Sequence, residues 1–111
     1  MDFDQIQRIA SFFETMDPML NVQQLRCIGW IMQQFDKDPN LVELPMSSFI
    51  KGTGITQAGA SRTCAYFGNR RNSKVPGLRL VDRVTDKINT RHRNIVLTTK
   101  GRAVLRQLQE L

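Results

Sequence analysis

The chain has 111 residues, 41% hydrophobic and 23% charged, with a formal net charge of +6. These are the length of one domain and the composition of an ordinary folded protein. They exclude a membrane-spanning chain, since no apolar run approaches the length of a bilayer, and a zinc or disulfide scaffold, since Cys27, Cys64 and His92 are its only cysteines and histidine. Acidic Asp2 and Asp4, with no basic run, do not read as a signal peptide. A cytoplasmic protein with reduced thiols is the simplest reading.

The charge is unevenly placed. Residues 1–50 hold three Lys/Arg against seven Asp/Glu, a net −4, whereas residues 51–111 hold 13 against three, a net +10. A basic half joined to an acidic half is the footprint of a polyanion binder, weighed against a merely solvated basic surface.

Residues 2–16 read as a helix, because Phe3, Ile6, Ile9, Ala10, Phe13 and Met16 recur at spacings of three and four, with Phe12 beside them. So many aromatic rings on a short segment either cap the core or meet a second chain. Asp17-Pro18 breaks the helix. Asn21 caps the next, over 22–35, where Val22, Leu25, Ile28, Met32 and Phe35 form one stripe and Cys27, Trp30 and Ile31 another. A helix apolar on so much of its circumference is central and buried. Gly29 costs about 1 kcal/mol of helix propensity there, which suggests a close helix–helix contact at that point.

Asp36 to Asn40 is a polar loop, and Leu41 to Leu44 reads as a short strand. Pro45 suits the first turn of a short helix over 45–51, with Phe49 and Ile50 inward, ended by Gly52 and Gly54. The stretch GITQAGASRTCAYF, 54–67, follows. Thr56 is its N-cap. Ala60, Cys64 and Phe67 share one stripe with Thr63 at its edge. Gln57, Ala58, Ser61, Arg62 and Ala65 share the opposite face, which is short, polar and positive. Such a face approaches another macromolecule closely; it is also what an ordinary surface helix presents. Two short helices joined by a glycine-containing turn make a helix-turn-helix.

Gly68 to Pro76 is a loop carrying Arg70, Arg71 and Lys74. LRLVDRVT, 78–85, reads as a strand, 86–92 as a turn, and RNIVL, 93–97, as a second strand with Ile95 and Leu97 on one face. Together they form a β-hairpin with a basic tip. Thr98 caps a last helix over 99–110, with Val104, Leu105, Leu108 and Leu111 as its apolar stripe.

Helix, helix, short strand, helix, helix, strand, turn, strand, helix is the order of a winged helix. The expected class is mainly α with a small β-hairpin wing (α+β), one winged helix-turn-helix domain over 1–111, with 2–16 and 99–110 as flanking, candidate dimerising helices. Three passages now resemble a known family, the MarR-like (multiple antibiotic resistance regulator) transcription factors. VQQLRCIGWI, 22–31, is similar to its central helix. ITQAGASRTCAYF, 55–67, is similar to its recognition helix, including Ser61-Arg62. Residues 77–108 are similar to its wing and to the Leu-Thr-x-x-Gly that opens the next helix, here Leu97 to Gly101. The similarity covers residues 20–108 in order.

The resemblance implies a homodimer on a pseudo-palindromic site in double-stranded DNA, acting as a repressor-like transcriptional regulator. Its recognition helix enters the major groove and its wing the minor groove. Carried over, Gln57, Ala58, Ser61 and Arg62 lie where the family contacts bases and phosphates, and Arg91 where it has a wing arginine. Where the family reads Asp-Arg-Arg, this chain has Asn89-Thr90-Arg91, with Asp86 as a substitute carboxylate. The 68–76 loop is longer than the family's, and one helix follows the wing where the family has another. So trimmed a version equally suits a phage or plasmid protein, in the host cytoplasm.

On this reading Arg62, Arg70, Arg71, Lys74, Arg79, Lys87, Arg91 and Arg93 neutralise phosphates or enter the minor groove. Gln57 and Ser61 read base edges, Ala58 touches a thymine methyl, and Thr56 stands at the start of the same face. Phe3, Ile6, Phe13, Val104 and Leu108 are the candidate dimer residues. The alternatives are a winged helix that works as a protein-interaction module with an acidic partner, and a phage or plasmid replication or partition protein. No catalytic residue, metal or cofactor is expected: His92 sits in a basic wing, and Asp82 and Asp86 have no second acidic cluster beside them. A small-molecule effector stays open as a partner, although nothing in the sequence indicates one. Cys64 reads as core, with a redox sensor as the lesser alternative.

Overall fold

The computed structural model describes residues 2–69 and 74–111. Its first helix, α1, spans Phe3–Met16 and is capped by Asp2, whose carboxylate accepts from Gln5 N at 2.7 Å. The helix ends at Asp17, in extended backbone before Pro18. Its apolar stripe is divided lengthwise. Phe13 is buried, and Ile9, Phe12 and Met16 pack against the core. Phe3 is 83% exposed and Ile6 46%. The second half of α1 thus closes the core, and the first half lies bare.

Helix α2, Val22–Lys37, opens with a reciprocal capping box: Asn21 Oδ1 accepts from Gln24 N at 2.7 Å, and Gln24 Oε1 accepts from Asn21 N at 2.9 Å. It is the central helix its sequence predicts, with Cys27, Ile28, Ile31, Met32 and Phe35 buried. Gly29 does not mark the helix–helix contact expected there. It is exposed, and a Cβ built on it meets nothing within 4 Å. The close approach comes one residue later on α2. Trp30 lies against Gly52, where a Cβ would come within 2.2 Å of the indole.

Strand β1 is short, Leu44–Pro45, and pairs antiparallel with β3, Arg93–Leu97, in the register Leu44↔Ile95. Between them come α3, Met46–Thr53, and α4, Gln57–Phe67. Gly52 lies within α3 rather than ending it. Gly54 ends it, at φ 74°, and its N–H reaches Ile50 O at 2.9 Å. That left-handed turn favours glycine and sets the angle between the two helices. Strand β2, Val81–Thr85, pairs with β3 from Val81↔Leu97 to Thr85↔Arg93, so the sheet order is β1-β3-β2.

The strand expected to begin at Leu78 begins at Val81. The backbone donors of the intervening residues are engaged elsewhere: Leu78, Arg79 and Leu80 donate to Tyr66 O, Gly68 O and Phe67 O at 2.7–2.9 Å. These residues satisfy the carbonyls at the end of α4, which a helix C-terminus otherwise leaves unpaired. Arg79 turns the chain at φ 61°. Helix α5, Thr99–Gln109, then packs on the same corner. Thr98 Oγ1 accepts from Gly101 N at 2.9 Å and donates to Arg79 O at 2.6 Å. A Cβ on Gly101 would fall 1.9 Å from Leu80 O. The Leu-Thr-x-x-Gly passage is therefore a cap and a backbone-to-backbone contact.

Phe49, Phe67, Ile28, Ile31, Leu80 and Ile95 are the largest fully buried side chains, and they join α2, α3, α4 and the sheet in one cluster. Each contributes roughly 1.5–3 kcal/mol by burial. Five helices and a three-stranded antiparallel sheet, counted among the described residues, make the winged helix-turn-helix of α+β class.

Candidate nucleic-acid interface

Helix α4 is two-faced in the way its spacing predicts. Ala60, Cys64 and Phe67 are buried, with Tyr66 also inward, while Thr56, Gln57, Ala58, Ser61 and Arg62 are exposed. Thr56 Oγ1 accepts from Gly59 N at 3.0 Å and fixes the first turn. The far end is tied to the end of α1 by the Tyr66 hydroxyl, which donates to Asp17 Oδ2. Ala58 and Ser61 are small, so the α4 backbone between Gln57 and Arg62 is lightly covered.

Beside α4 the β2–β3 hairpin forms one wall of a cleft of about 370 Å³, with α3 and α4 forming the other. Gln57 and Ser61 line it from α4, Ser47 and Ile50 from α3, and Arg83, Arg91, His92 and Arg93 from the hairpin. Arg83 Nη1 donates to Ser61 Oγ at 3.2 Å, so the hairpin and the helix are joined across the cleft. Asn94, 7% exposed, also lines it; its Nδ2 donates to Asp86 Oδ2 at 3.1 Å, and its Oδ1 is buried without a partner.

Asp86 holds the hairpin turn. Its Oδ1 accepts from Asn89 N at 2.9 Å and Ile88 N at 2.8 Å, and the bonds from Asn89, Asn94 and Ile88, in that order of effect, hold its carboxyl below the usual carboxylate range. It does not bond Arg91, whose backbone N–H instead meets Asn89 Oδ1 at 3.2 Å. Asp86 therefore orders the turn rather than orienting the wing arginine.

Among the described residues the ion pair is Arg8–Asp4 on α1, at 3.3 Å, and Arg62, Arg83, Lys87, Arg91 and Arg93 form none. Of the residues singled out from sequence, Gln57, Ser61, Arg91 and Arg93 come together in the cleft. Thr56, Ala58 and Arg62 stand on the α4 face beside it, Lys87 on the hairpin turn and Lys74 on the preceding loop, all exposed. Arg79 borders a separate depression with Asn69, Asp82 and Lys100. Arg70 and Arg71 lie outside the described residues. Among the candidate dimer residues, Phe13 and Val104 are buried in this chain's own core, Leu108 is half-buried, and Phe3 and Ile6 are exposed.

Arg83 is a cleft residue that the sequence does not single out. Strand alternation contains the signal: Val81 points to the core, and Arg83, two residues on, shares its face at the margin next to α4. Among the described residues no group of three His, Cys, Asp or Glu is placed to hold a metal, and no helix is long and apolar enough to cross a membrane.

Cys64 is 1% exposed, its Sγ 3.7 Å from Met46 Sδ, and burial pushes its thiol up to about 11, with Arg83 pulling the other way. The folded pKa lies above the ordinary thiol value of 9.0. The resulting contribution to stability is therefore whole below about pH 9 and is lost as pH rises through about 11. At pH 7.5 iodoacetamide should label Cys64 at least a hundredfold more slowly in the folded chain than in urea, read by mass spectrometry, roughly as the raised pKa and the burial require. Equal rates would show an accessible thiolate and revive the redox-sensor reading.

No family model matches the sequence, and no curated protein matches it. Solved structures do. S. aureus MepR in a DNA complex aligns with TM-score 0.67 and 19% identity over 96% of this chain and 75% of its own. RV1404 from Mycobacterium tuberculosis gives 0.62 and 20% over 95% and 62%. Bordetella bronchiseptica BpsR, whose DNA binding is regulated by 6-hydroxynicotinic acid, gives 0.56 and 19% over 96% and 67%. At 19–20% identity these likenesses show a shared fold: the chain has the same winged-helix architecture as these solved proteins.

Proposed function

We propose that this chain is a homodimeric, repressor-like transcriptional regulator that binds double-stranded DNA. The observation that carries the reading is the cleft: three arginines, without carboxylate partners among the described residues, stand opposite Gln57 and Ser61 of α4. Helix α4 enters the major groove, where Gln57 and Ser61 reach base edges and Ala58 a thymine methyl. Thr56, Arg62 and Arg83 lie against the phosphates, and the hairpin with Lys87, Arg91 and Arg93 follows the minor groove. Lys74 and Arg79 add charge to this footprint, and Arg70 and Arg71, outside the described residues, are assigned to DNA binding from the sequence alone. The likeness to MepR, whose structure with DNA has been solved, supports the same docking. Phe3, Ile6 and Leu108 are the residues left to meet the second copy, and one domain over 1–111 carries all of these parts. The protein acts in the cytoplasm, at the nucleoid, and no catalytic residue is assigned.

Selection of sites from a random DNA pool tests this. The expected winners share a two-fold repeated half-site, and the complex weakens by roughly 10³-fold or more between 50 and 200 mM salt, as six or more phosphate contacts require. No retardation of genomic DNA at micromolar protein would reject the reading in favour of a protein-interaction module. Footprints confined to repeats near a replication origin would favour a replication or partition protein.

A further inference from the structure

The hairpin turn carries a side chain that neither the fold nor the charge pattern accounts for. Ile88 is 99% exposed, the most exposed of the large apolar residues described. It lies between Lys87 and Asn89, with Arg91 three residues on. Nothing in the fold needs an apolar residue there, and a bare isoleucine loses the burial that would stabilise it elsewhere.

The turn that presents it is braced. Ile88 N donates to Asp86 Oδ1 at 2.8 Å, Asn89 N to the same oxygen at 2.9 Å, and Asn94 holds the other carboxylate oxygen at 3.1 Å. Across the base of the turn, Asp86 N donates to His92 O and His92 N to Asn89 O, each at 3.0 Å. Ile88 is thus a stiff, β-branched side chain with few rotamers, on a fixed backbone, at the end of a cationic hairpin.

Side chains of this class enter DNA at the minor groove, where Ile, Leu, Met or Phe wedge between base pairs and kink the duplex while flanking cations hold the phosphates. We infer that Ile88 is such a wedge: it inserts at a base-pair step in the minor groove, and the DNA is bent at the wing rather than merely touched by it. This rests on the DNA-binding reading above. The charge around the tip favours DNA as the occupant over an apolar protein pocket, since Lys87, Arg91 and Arg93 lack carboxylate partners among the described residues. The step entered should be a flexible pyrimidine–purine step, the kind that unstacks most readily.

The test uses the full chain and a duplex chosen by the wild type from a random pool. 2-Aminopurine is placed in turn at each step flanking the half-sites, and end-to-end energy transfer reports the bend. The wild type should raise 2-aminopurine fluorescence at one step per half-site and shorten the end-to-end distance. Ile88→Ala and Ile88→Ser should abolish both signals and weaken binding roughly tenfold. Ile88→Met should keep them. Because Ile88 is bare, all three variants should melt with the wild type. Ile88→Ala that binds and bends as the wild type does overturns the wedge and leaves the DNA-binding reading standing. A wild type that selects no duplex at all overturns that reading and the wedge with it.

Discussion

A chain with Arg62, Arg83 and Arg91 all replaced by alanine should bind its selected DNA roughly a hundred- to a thousandfold more weakly at 0.1 M salt, with the plot of log K against log salt flattened by about 0.9 for every phosphate no longer neutralised. The three arginines stand on different supports: Arg62 on the α4 face, Arg83 on β2 against Ser61, Arg91 beyond the hairpin turn. Their joint removal therefore strips charge from both sides of the cleft. Arg62 and Arg91 are exposed and Arg83 is half-buried with one long hydrogen bond, so the melting temperature should change little. The matched control removes the same charge elsewhere, as Arg8→Ala, Arg102→Ala and Arg106→Ala on α1 and α5. Equal weakening by the two triple variants would mean that overall charge, not the cleft, drives binding.

Gly101→Ala should destabilise the fold by about 3 kcal/mol, or roughly 10 °C in melting temperature for a domain of this size. Helix propensity alone argues the opposite, favouring alanine by about 1 kcal/mol. Sterics decide it. A Cβ 1.9 Å from Leu80 O cannot be absorbed by a flexible side chain, because its neighbour is backbone. Helix α5 must move away, and with it go the bonds from Thr98 N to Leu80 O at 3.1 Å, from Thr98 Oγ1 to Arg79 O and from Lys100 Nζ to Leu78 O at 2.9 Å. Gly29→Ala is the companion: nothing surrounds that position, so alanine there should stabilise by several tenths of a kcal/mol to about 1 kcal/mol. A thermal melt of the two variants reads both effects. Gly101→Ala melting at or above the wild type would remove the close approach from the account.

Much of the fold is legible in the sequence wherever a local pattern and the tertiary structure agree. The Ala60–Cys64–Phe67 stripe, the caps at Asn21, Thr56 and Thr98 and the order of the elements depend on spacings of a few residues, and the structure carries them unchanged. Local patterns mislead where distant segments compete for the same backbone. Leu78 to Leu80 has the composition of a strand, but its donors answer the carbonyls at the end of α4. Gly29 and Gly52 look alike in sequence, and only the position of Trp30 distinguishes them. Of the site, the α4 face and the wing cations are readable, because exposure follows from periodicity. Arg83 does not rank above other arginines in the sequence, since its role depends on which face of β2 lies next to α4. Asp86 reads in sequence as a partner for Arg91, but it bonds the turn's own amides, which are nearer along the chain.

The pairing of Leu44 with Ile95 bears on how the molecule comes into being. Helices α3 and α4 lie inside a loop of about fifty residues that closes only when β1 meets β3. Closing it costs chain entropy before any stabilisation is gained, which slows folding relative to a bundle built from neighbouring helices. During synthesis α1 to α4 emerge before the hairpin, with the carbonyls of Tyr66, Phe67 and Gly68 still waiting for the segment around Leu80. The carbonyls at the end of α4 are therefore paired only once residues 78–80 have been made, and a chain truncated before Ile95 keeps the helix-turn-helix sequence without the β1–β3 pairing that frames it.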